Sequence, residues 1–396
     1  MTKKQTGWMV VLGLVLFTNI LESMILMPLA STIKGELSMN EKQWGVAISS
    51  YLFSAFVSGI ISIFIIDRFD RKKFLLFLYA FFILGTLFCG ISYTYEFLVF
   101  ARIFAGFFGG VISALVLAMV GDLIPPKHRG KATGIVMAGF SSAAALGIPM
   151  GLFLGLTWTW HMPFFFILGM ALITWFLIAF LMPEMKEHLK RETTGYKSYH
   201  IIARVAGNRN QIKALVFTCT ILFGQFAIIP YLADYVENNV GFRKTELVWM
   251  YFTGGALTFI TNPFVGVLAD RRGQLRIFLI MMLISCIPIL LITSMGHNPM
   301  PLVLIATSSF FVFAGGRNIP GTALVLSTAA PHERGGFMSI RAAMQQLASG
   351  LAVMLGSFII YQDETGKYFN FEYVGYLAVG TSVASYFILR RIRQQY

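Results

Sequence analysis

The chain has 396 residues, 57% of them hydrophobic and only 12% charged, with a mean hydropathy of +0.72. This composition excludes a soluble globular protein of that length. The net charge of +13 lies in short loops between apolar runs, so it reads as a membrane topology signal rather than a nucleic-acid footprint.

The apolar runs are long, continuous and rich in Phe, Leu, Ile, Gly and Met, which favours helices over the alternating segments of a β-barrel. The start, MTKKQTGWMVVLG, has the basic flank and apolar body of a signal sequence. No small-x-small cleavage site follows, so it is expected to stay as the first helix. Spans are expected near 7–31, 43–66, 74–94, 97–121, 132–155 and 161–182, then 213–238, 246–269, 276–295, 300–326, 337–361 and 372–389. The expectation is an all-α membrane protein of twelve transmembrane helices in two six-helix bundles, residues 1–182 and 213–396, joined by a linker over 183–212. Cys89, Cys219 and Cys286 each fall inside an apolar run, and no disulfide is assigned.

Twelve spans put both termini on one side, and that side holds most of the loop Lys and Arg: Lys3 and Lys4, Arg68 to Lys73, Lys127 to Lys131, Arg271 to Arg276, Arg334, and Arg390 to Arg393. The other side has only Lys34, Lys42, Arg243, Lys244 and Lys367, so both termini are expected to be cytoplasmic. The first part of the linker reads either as an amphipathic helix on the inner leaflet, carrying Lys186, Lys190, Arg191 and Lys197, or as a solvated connector. Trp158 and Trp160 read as interface anchors.

Two pairs of loops match between the halves. IDRFDRKK after span two, with Asp67, Arg68 and Arg71, resembles GVLADRRGQLR after span eight, with Asp270 and Arg271. PPKHRGKATGI, with Arg129, resembles APHERGGFMSI, with Arg334. Such matches suggest duplicated halves. In these residues the chain resembles the major facilitator superfamily, most closely its bacterial drug-efflux and sugar-efflux branch of proton antiporters. The family's motif GxxxDRxGRK is matched by IFIIDRFDRKK, with Ile63 and Asp70 where glycines are usual, and its second copy keeps both glycines. An Arg followed by small residues in span four is matched by FARIFAGFFGG, with Arg102, Gly106, Gly109 and Gly110. The antiporter segment of span five is matched in part by GFSSAAALGIPMG, with Gly147, Pro149 and Gly151.

The resemblance implies two bundles rocking about a central site. Small residues four apart, Gly106 with Gly110 and Gly147 with Gly151, suit close helix contact, whether as moving surfaces or as plain packing. Asp67 and Asp270, beside Arg68, Arg71 and Arg271, read as a latch across the cytoplasmic ends or simply as topology signals; Arg129 and Arg334 join them as gate candidates. Glu22 is the one charge in its run. By helical rise it lies about 22 Å above the cytoplasmic face, and Arg102 about 8 Å below the outer face of a ~30 Å core, so the two reach one level. Glu22 is read as a proton site or cation contact, or only as a structural partner of Arg102. Arg317 near mid-membrane, with Phe223, Phe226, Asn262 and Phe313, is assigned to a substrate cavity favouring an anionic or hydrogen-bond-accepting group; alternatively, Arg317 caps helix ends and pairs with Asn262 or Asn318. Asp234, near the outer end of span seven, suits an entrance or gate.

Among enzyme motifs, HExxH, GxSxG and GxxxxGK[ST] are all lacking, and the six histidines fall in loops or at span ends. Neither enzyme chemistry, a metal nor a cofactor is expected. The expected function is proton-coupled efflux of a small amphipathic or anionic organic compound by a monomer in a bacterial inner membrane, with protons, substrate and lipids as partners. The alternative is uptake by proton symport or facilitated diffusion.

Overall fold

A computed structural model describes residues 1–66, 68–185, 198–330, 334–363 and 365–392. Among them, eleven helices are long and apolar enough to cross a membrane: α1 (Lys3–Glu36), α2 (Glu41–Ile65), α3 (Arg71–Gly90), α4 (Tyr95–Leu123), α5 (Arg129–Thr157), α6 (Met162–Leu181), α7 (Arg209–Val240), α8 (Lys244–Arg272), α9 (Gln274–Thr293), α10 (Met300–Leu326) and α11 (Arg334–Ile359). The last helix, α12 (Phe371–Leu389), has 19 residues and packs among them, though Glu372 and three tyrosines dilute its apolar character. A short helix, Ser198–Gly207, leads into α7. Asp67 and the linker residues Lys186, Lys190, Arg191 and Lys197 lie outside the described residues.

The helices start ahead of their apolar runs because polar side chains take up the first free backbone N–H groups. Asn40 accepts from the Gln43 amide at 3.0 Å while Gln43 accepts from the Asn40 amide at 3.0 Å. Asp70 accepts from the Lys73 amide at 3.0 Å and Thr94 from the Phe97 amide at 3.3 Å. Proline sets the interruptions. Next to Pro28, α1 passes from the α-helix Lys3–Met24 through a 3₁₀ turn, Met27–Leu29, to Ala30–Glu36. Next to Pro230, α7 divides into Arg209–Phe226 and Ile229–Tyr235. In α10 the break falls at Arg317, three residues before Pro320. In α5 a π-helical stretch, Ala143–Gly147, precedes Pro149.

In the first half α1 lies on α5, α2 on α4, and α3 on both α4 and α6; in the second, α7 lies on α11, α8 on α10, and α9 on both α10 and α12. Every one of these contacts recurs six helices later, which defines two pseudo-symmetric six-helix bundles. The bundles meet along α2 and α11 and along α5 and α8. They also meet where the tips of α1 and α7 touch, at the end opposite the chain termini, called the far face below. Between α11 and α12 this face carries a small hairpin of β1 (Tyr361–Gln362) and β2 (Tyr368–Phe369), paired antiparallel with Gln362 opposite Tyr368. Gly366, at φ 85°, makes the turn possible.

Glycines set the closest helix approaches. A Cβ on Gly106 would lie 2.4 Å from the Tyr51 carbonyl oxygen, and one on Gly110 2.6 Å from the Ala55 Cα, so α4 rests on the backbone of α2. Gly147 and Gly151 receive Leu21 and Ile25 of α1, at 3.1 and 2.3 Å from where a Cβ would stand. The contact of α5 with the other bundle comes both from its π-helical stretch, where Ala144 O lies 2.6 Å from the Cβ position of Gly255 on α8, and from the segment Ile148–Thr157 that follows. Trp158 is 62% exposed, but Trp160 is not an interface anchor: it is fully buried, and its Nε1 donates to Glu36 at 2.8 Å, tying the start of α6 to the tip of α1.

Gly106→Val is expected to lower unfolding stability by about 1–3 kcal/mol, because neither backbone can give way. Gly134→Ala, at an exposed helical position where a Cβ meets nothing within 4 Å, is expected to raise it by up to about 1 kcal/mol through helix propensity. Thermal unfolding in one detergent checks both, and equal effects would contradict the close approach.

Candidate functional site

Glu22 and Arg102 are both completely buried, and Arg102 Nη1 donates to Glu22 Oε1 at 2.9 Å. The break in α1 prepares this contact. Its first helical segment ends at Met24, so the carbonyls of the last turn lose their helical donors, and Arg102 supplies replacements: Nη1 to the Glu22 carbonyl at 3.1 Å and Nη2 to the Ser23 carbonyl at 3.2 Å. The guanidinium also lies 4.4 Å from the ring centre of Tyr51 on α2, a cation–π contact. Cys89 Sγ on α3 donates to Glu22 Oε1 at 3.8 Å. Glu22 Oε2 has no hydrogen-bond partner. The pair is formally neutral, which is what makes it tolerable among Leu21, Ile25, Leu98, Ala101 and Ala105. Chemically it is a carboxylate with one oxygen held by a cation and one without a hydrogen-bond partner.

A second charged cluster joins the bundles at the far face. Lys34 Nζ on α1 donates to Glu41 at the start of α2 and, at 2.6 Å, to Asp234 Oδ2 on α7. It also donates to Gln362 Oε1 at 2.8 Å. Tyr368 Oη donates to Asp234 Oδ2 at 2.7 Å, and Asn238 Nδ2 donates to Asp234 Oδ1 at 2.5 Å. Around this centre Trp44 Nε1 donates to the Pro230 carbonyl at 3.1 Å, Ser31 donates to Glu237, and Lys244 Nζ lies 3.7 Å from Glu237 Oε1. Lys34, Glu41 and Asp234 are each at most 6% exposed, so a buried lysine shared between two carboxylates joins the bundles here, beside a recess of about 360 Å³ that Lys34 and Asp234 also line. Of this cluster, only Asp234 stands out in the sequence as suited to an entrance or gate. Lys34, Glu41, Gln362 and Tyr368 do not, their only signal being that Lys34 and Glu41 stand a few residues apart at the far end of the first two spans.

Arg317 is completely buried, but neither Asn262 nor Asn318 holds it. Its Nη1 donates to Ser382 Oγ at 2.7 Å and Ser285 Oγ at 3.3 Å, and its Nη2 to the Ile221 carbonyl at 3.3 Å, so it ties α10 to α12, α9 and α7 within one bundle. Asn318 Nδ2 donates instead to Gln225 Oε1 at 3.1 Å. Phe313 packs beside Val265, Ala269, Ile277 and Met281 of α8 and α9, whereas Phe223 and Phe226 pack on the core shared by both bundles. Asn262 is half-buried with an unpartnered Oδ1.

On the termini face, Arg71 pairs with Asp122 at 3.1 Å, a contact inside the first bundle. Arg68, Asp270 and Arg271 are exposed, and Asp270 Oδ1 accepts from Gln274 Nε2 at 2.8 Å. Arg129 Nε donates to the Ile124 carbonyl at 3.1 Å, and Arg334 Nε to the Ala329 carbonyl at 3.4 Å. Each of these two matched arginines therefore holds a carbonyl five residues back, Arg129 at the C-cap of α4 and Arg334 in the turn after α10.

A family model described as the Major Facilitator Superfamily matches residues 12–213 and again 214–395. Pro28 and Pro230, which break α1 and α7, stand equally far into the two matches. Among curated relatives, the chain is 25% identical to an uncharacterized MFS-type transporter, YwfA, of Bacillus subtilis (strain 168), covering 93% of this chain and 86% of the relative. It is 26% identical to Multidrug resistance protein 1 of the same organism (81% of each), and 23% identical to a probable sugar efflux transporter of Helicobacter pylori (92% and 89%). Its fold matches the xylose transporter XylE of E. coli with a TM-score of 0.78 at 14% identity, over 98% of both chains. It also matches a bacterial homolog of the human lysosomal transporter Spinster, inward-facing and occupied, with a TM-score of 0.73 at 15% identity, over 99% and 98%. With two matched halves, paired bundles and membrane-spanning helices accounted for by one family, the chain belongs to the Major Facilitator Superfamily and is a membrane transporter, not an enzyme.

Proposed function

We propose that the chain exports a small amphipathic or anionic organic compound across a bacterial inner membrane in exchange for protons, as a monomer with both termini cytoplasmic. The observation that carries this reading is the buried Glu22–Arg102 pair with its open Glu22 Oε2. A proton on that oxygen removes the charge that answers Arg102. The guanidinium then keeps only backbone carbonyls and the Tyr51 face, and an uncompensated buried charge costs several kcal/mol. That cost is available to change the relative stability of the two access states. The lysine and arginine bias of the loops supports the orientation, and the relatives named for multidrug resistance and sugar efflux support the direction.

In this reading the far face is external, and the cluster around Lys34 is its closed gate. Opening leaves Lys34 paired with Glu41 in one bundle, while Asp234 in the other keeps the hydrogen bonds of Tyr368 and Asn238 but loses its cation. Arg68, Arg71, Asp270, Arg271, Arg129 and Arg334 then belong to the cytoplasmic gate, with Gly147, Pro149 and Gly151 shaping the helix beside it.

Glu22→Gln is expected to lower export driven by an imposed pH gradient at least tenfold in inside-out vesicles, while gradient-independent counterflow survives. Full gradient-driven export by that variant would remove Glu22 from coupling, and accumulation in the opposite direction would favour uptake. For the gate, Ser31→Cys with Glu237→Cys in a background lacking Cys89, Cys219 and Cys286 is expected to cross-link readily. Adding Lys34→Met should cut the yield several-fold, and an unchanged yield would show that the lysine does not hold the face closed.

A further inference from the structure

Between α7, α10 and α11 lies a small recess walled by Phe217, Thr218, Leu222, Asn318, Thr322 and Arg341, among others. Its free space is about 10 Å³, room for one water-sized group. Arg341, Asn318 and Thr322 are half-buried rather than sealed, unlike Arg317 on the other side of α7. Arg341 is the one charged residue in the wall, and no carboxylate lines it.

The guanidinium is held in place by groups that leave its charge unanswered. Nε donates to Thr218 Oγ1 at 3.3 Å and Nη2 to Thr322 Oγ1 at 2.8 Å. Both hydroxyls spend their own protons on backbone carbonyls, Thr218 on Ala214 at 3.0 Å and Thr322 on Asn318 at 2.7 Å, so each offers Arg341 a lone pair of fixed direction. A guanidinium has five N–H donors, so more remain than these two neutral acceptors use. A cation fixed by neutral partners at an apolar wall favours an incoming anion, and a planar fork favours a planar one.

We infer that Arg341 binds the carboxylate end of the transported compound, making this recess the site that selects organic acids over neutral or cationic molecules. One carboxylate oxygen fills the space beside Arg341, and the remainder of the ligand extends outward past the half-buried Leu222 and Gln345. The inference rests on the reading that small organic compounds pass between the bundles. It moves the anion-recognising role from Arg317, which is completely buried and gives both Nη groups to its own bundle, to the half-buried Arg341.

Purified full-length protein in detergent tests it with benzoate, benzamide and benzylammonium as probes of one shape and three charges, read by the shift in thermal unfolding. Benzoate is expected to give a saturable upward shift, with little or none from the other two. Arg341→Gln should weaken benzoate at least tenfold and Arg341→Lys should restore part of it. If Arg341→Gln does not fold, Thr322→Val, which releases Nη2, should still weaken benzoate about threefold. No benzoate shift, equal shifts from all three probes, or a benzoate shift untouched by these variants would overturn the assignment. Benzoate binding without any gradient-driven export removes the efflux reading and leaves this site, whereas export without selective benzoate binding removes this site alone.

Discussion

A charge inside a lipid-spanning bundle is tolerated only if something answers it, and in the first bundle that constraint is met by one contact, Arg102 against Glu22. The rest of the bundle is arranged around it. Pro28 breaks α1 just beyond Glu22 and frees the carbonyls that Arg102 also holds, while Tyr51 covers the guanidinium from α2. Tyr51 can sit there because Gly106 and Gly109 let α4 come against its backbone and its hydroxyl. Packing, backbone breaks and electrostatics therefore depend on one another at a single depth.

The second bundle meets the same constraint differently. Arg317 is spread over two serine hydroxyls and a carbonyl, and Arg341 over two threonine hydroxyls, so each cation is positioned by neutral acceptors. One half thus holds a neutral pair with an open carboxylate oxygen, and the other holds arginines without a paired acid in contact. For a transporter exchanging a proton for an organic anion, that asymmetry within a pseudo-symmetric frame is a coherent division of labour. The far-face cluster adds the third piece, a lysine shared between carboxylates of both bundles, so parting the bundles there leaves Asp234 with only the neutral Tyr368 and Asn238.

Much of this was legible from composition and spacing. The helical class and the duplicated halves followed from the apolar runs and the paired loops, and helix rise alone brought Glu22 and Arg102 to one level. Span boundaries drifted because Asn40, Asp70 and Thr94 cap helices before the apolar stretch begins. Arg317 reads as a cavity residue, or alternatively as a partner of Asn262 or Asn318, because its actual acceptors Ser285 and Ser382 look like ordinary small residues of a membrane helix. Lys34 looked like a loop charge because nothing in its own segment reveals that α7 and a hairpin from the far end of the chain converge on it. Trp160 was misread for a similar reason: its acceptor, Glu36, comes from a distant span.

The most direct measurement of the central claim is a double-mutant cycle on the buried pair, read by unfolding stability in one detergent at neutral pH. Arg102→Met alone strands the carboxylate and is expected to cost about 3–5 kcal/mol, while Glu22→Met with Arg102→Met recovers most of that loss. Costs that simply add to within about 0.5 kcal/mol would mean that the two charges do not answer each other, and the account built on them would fail.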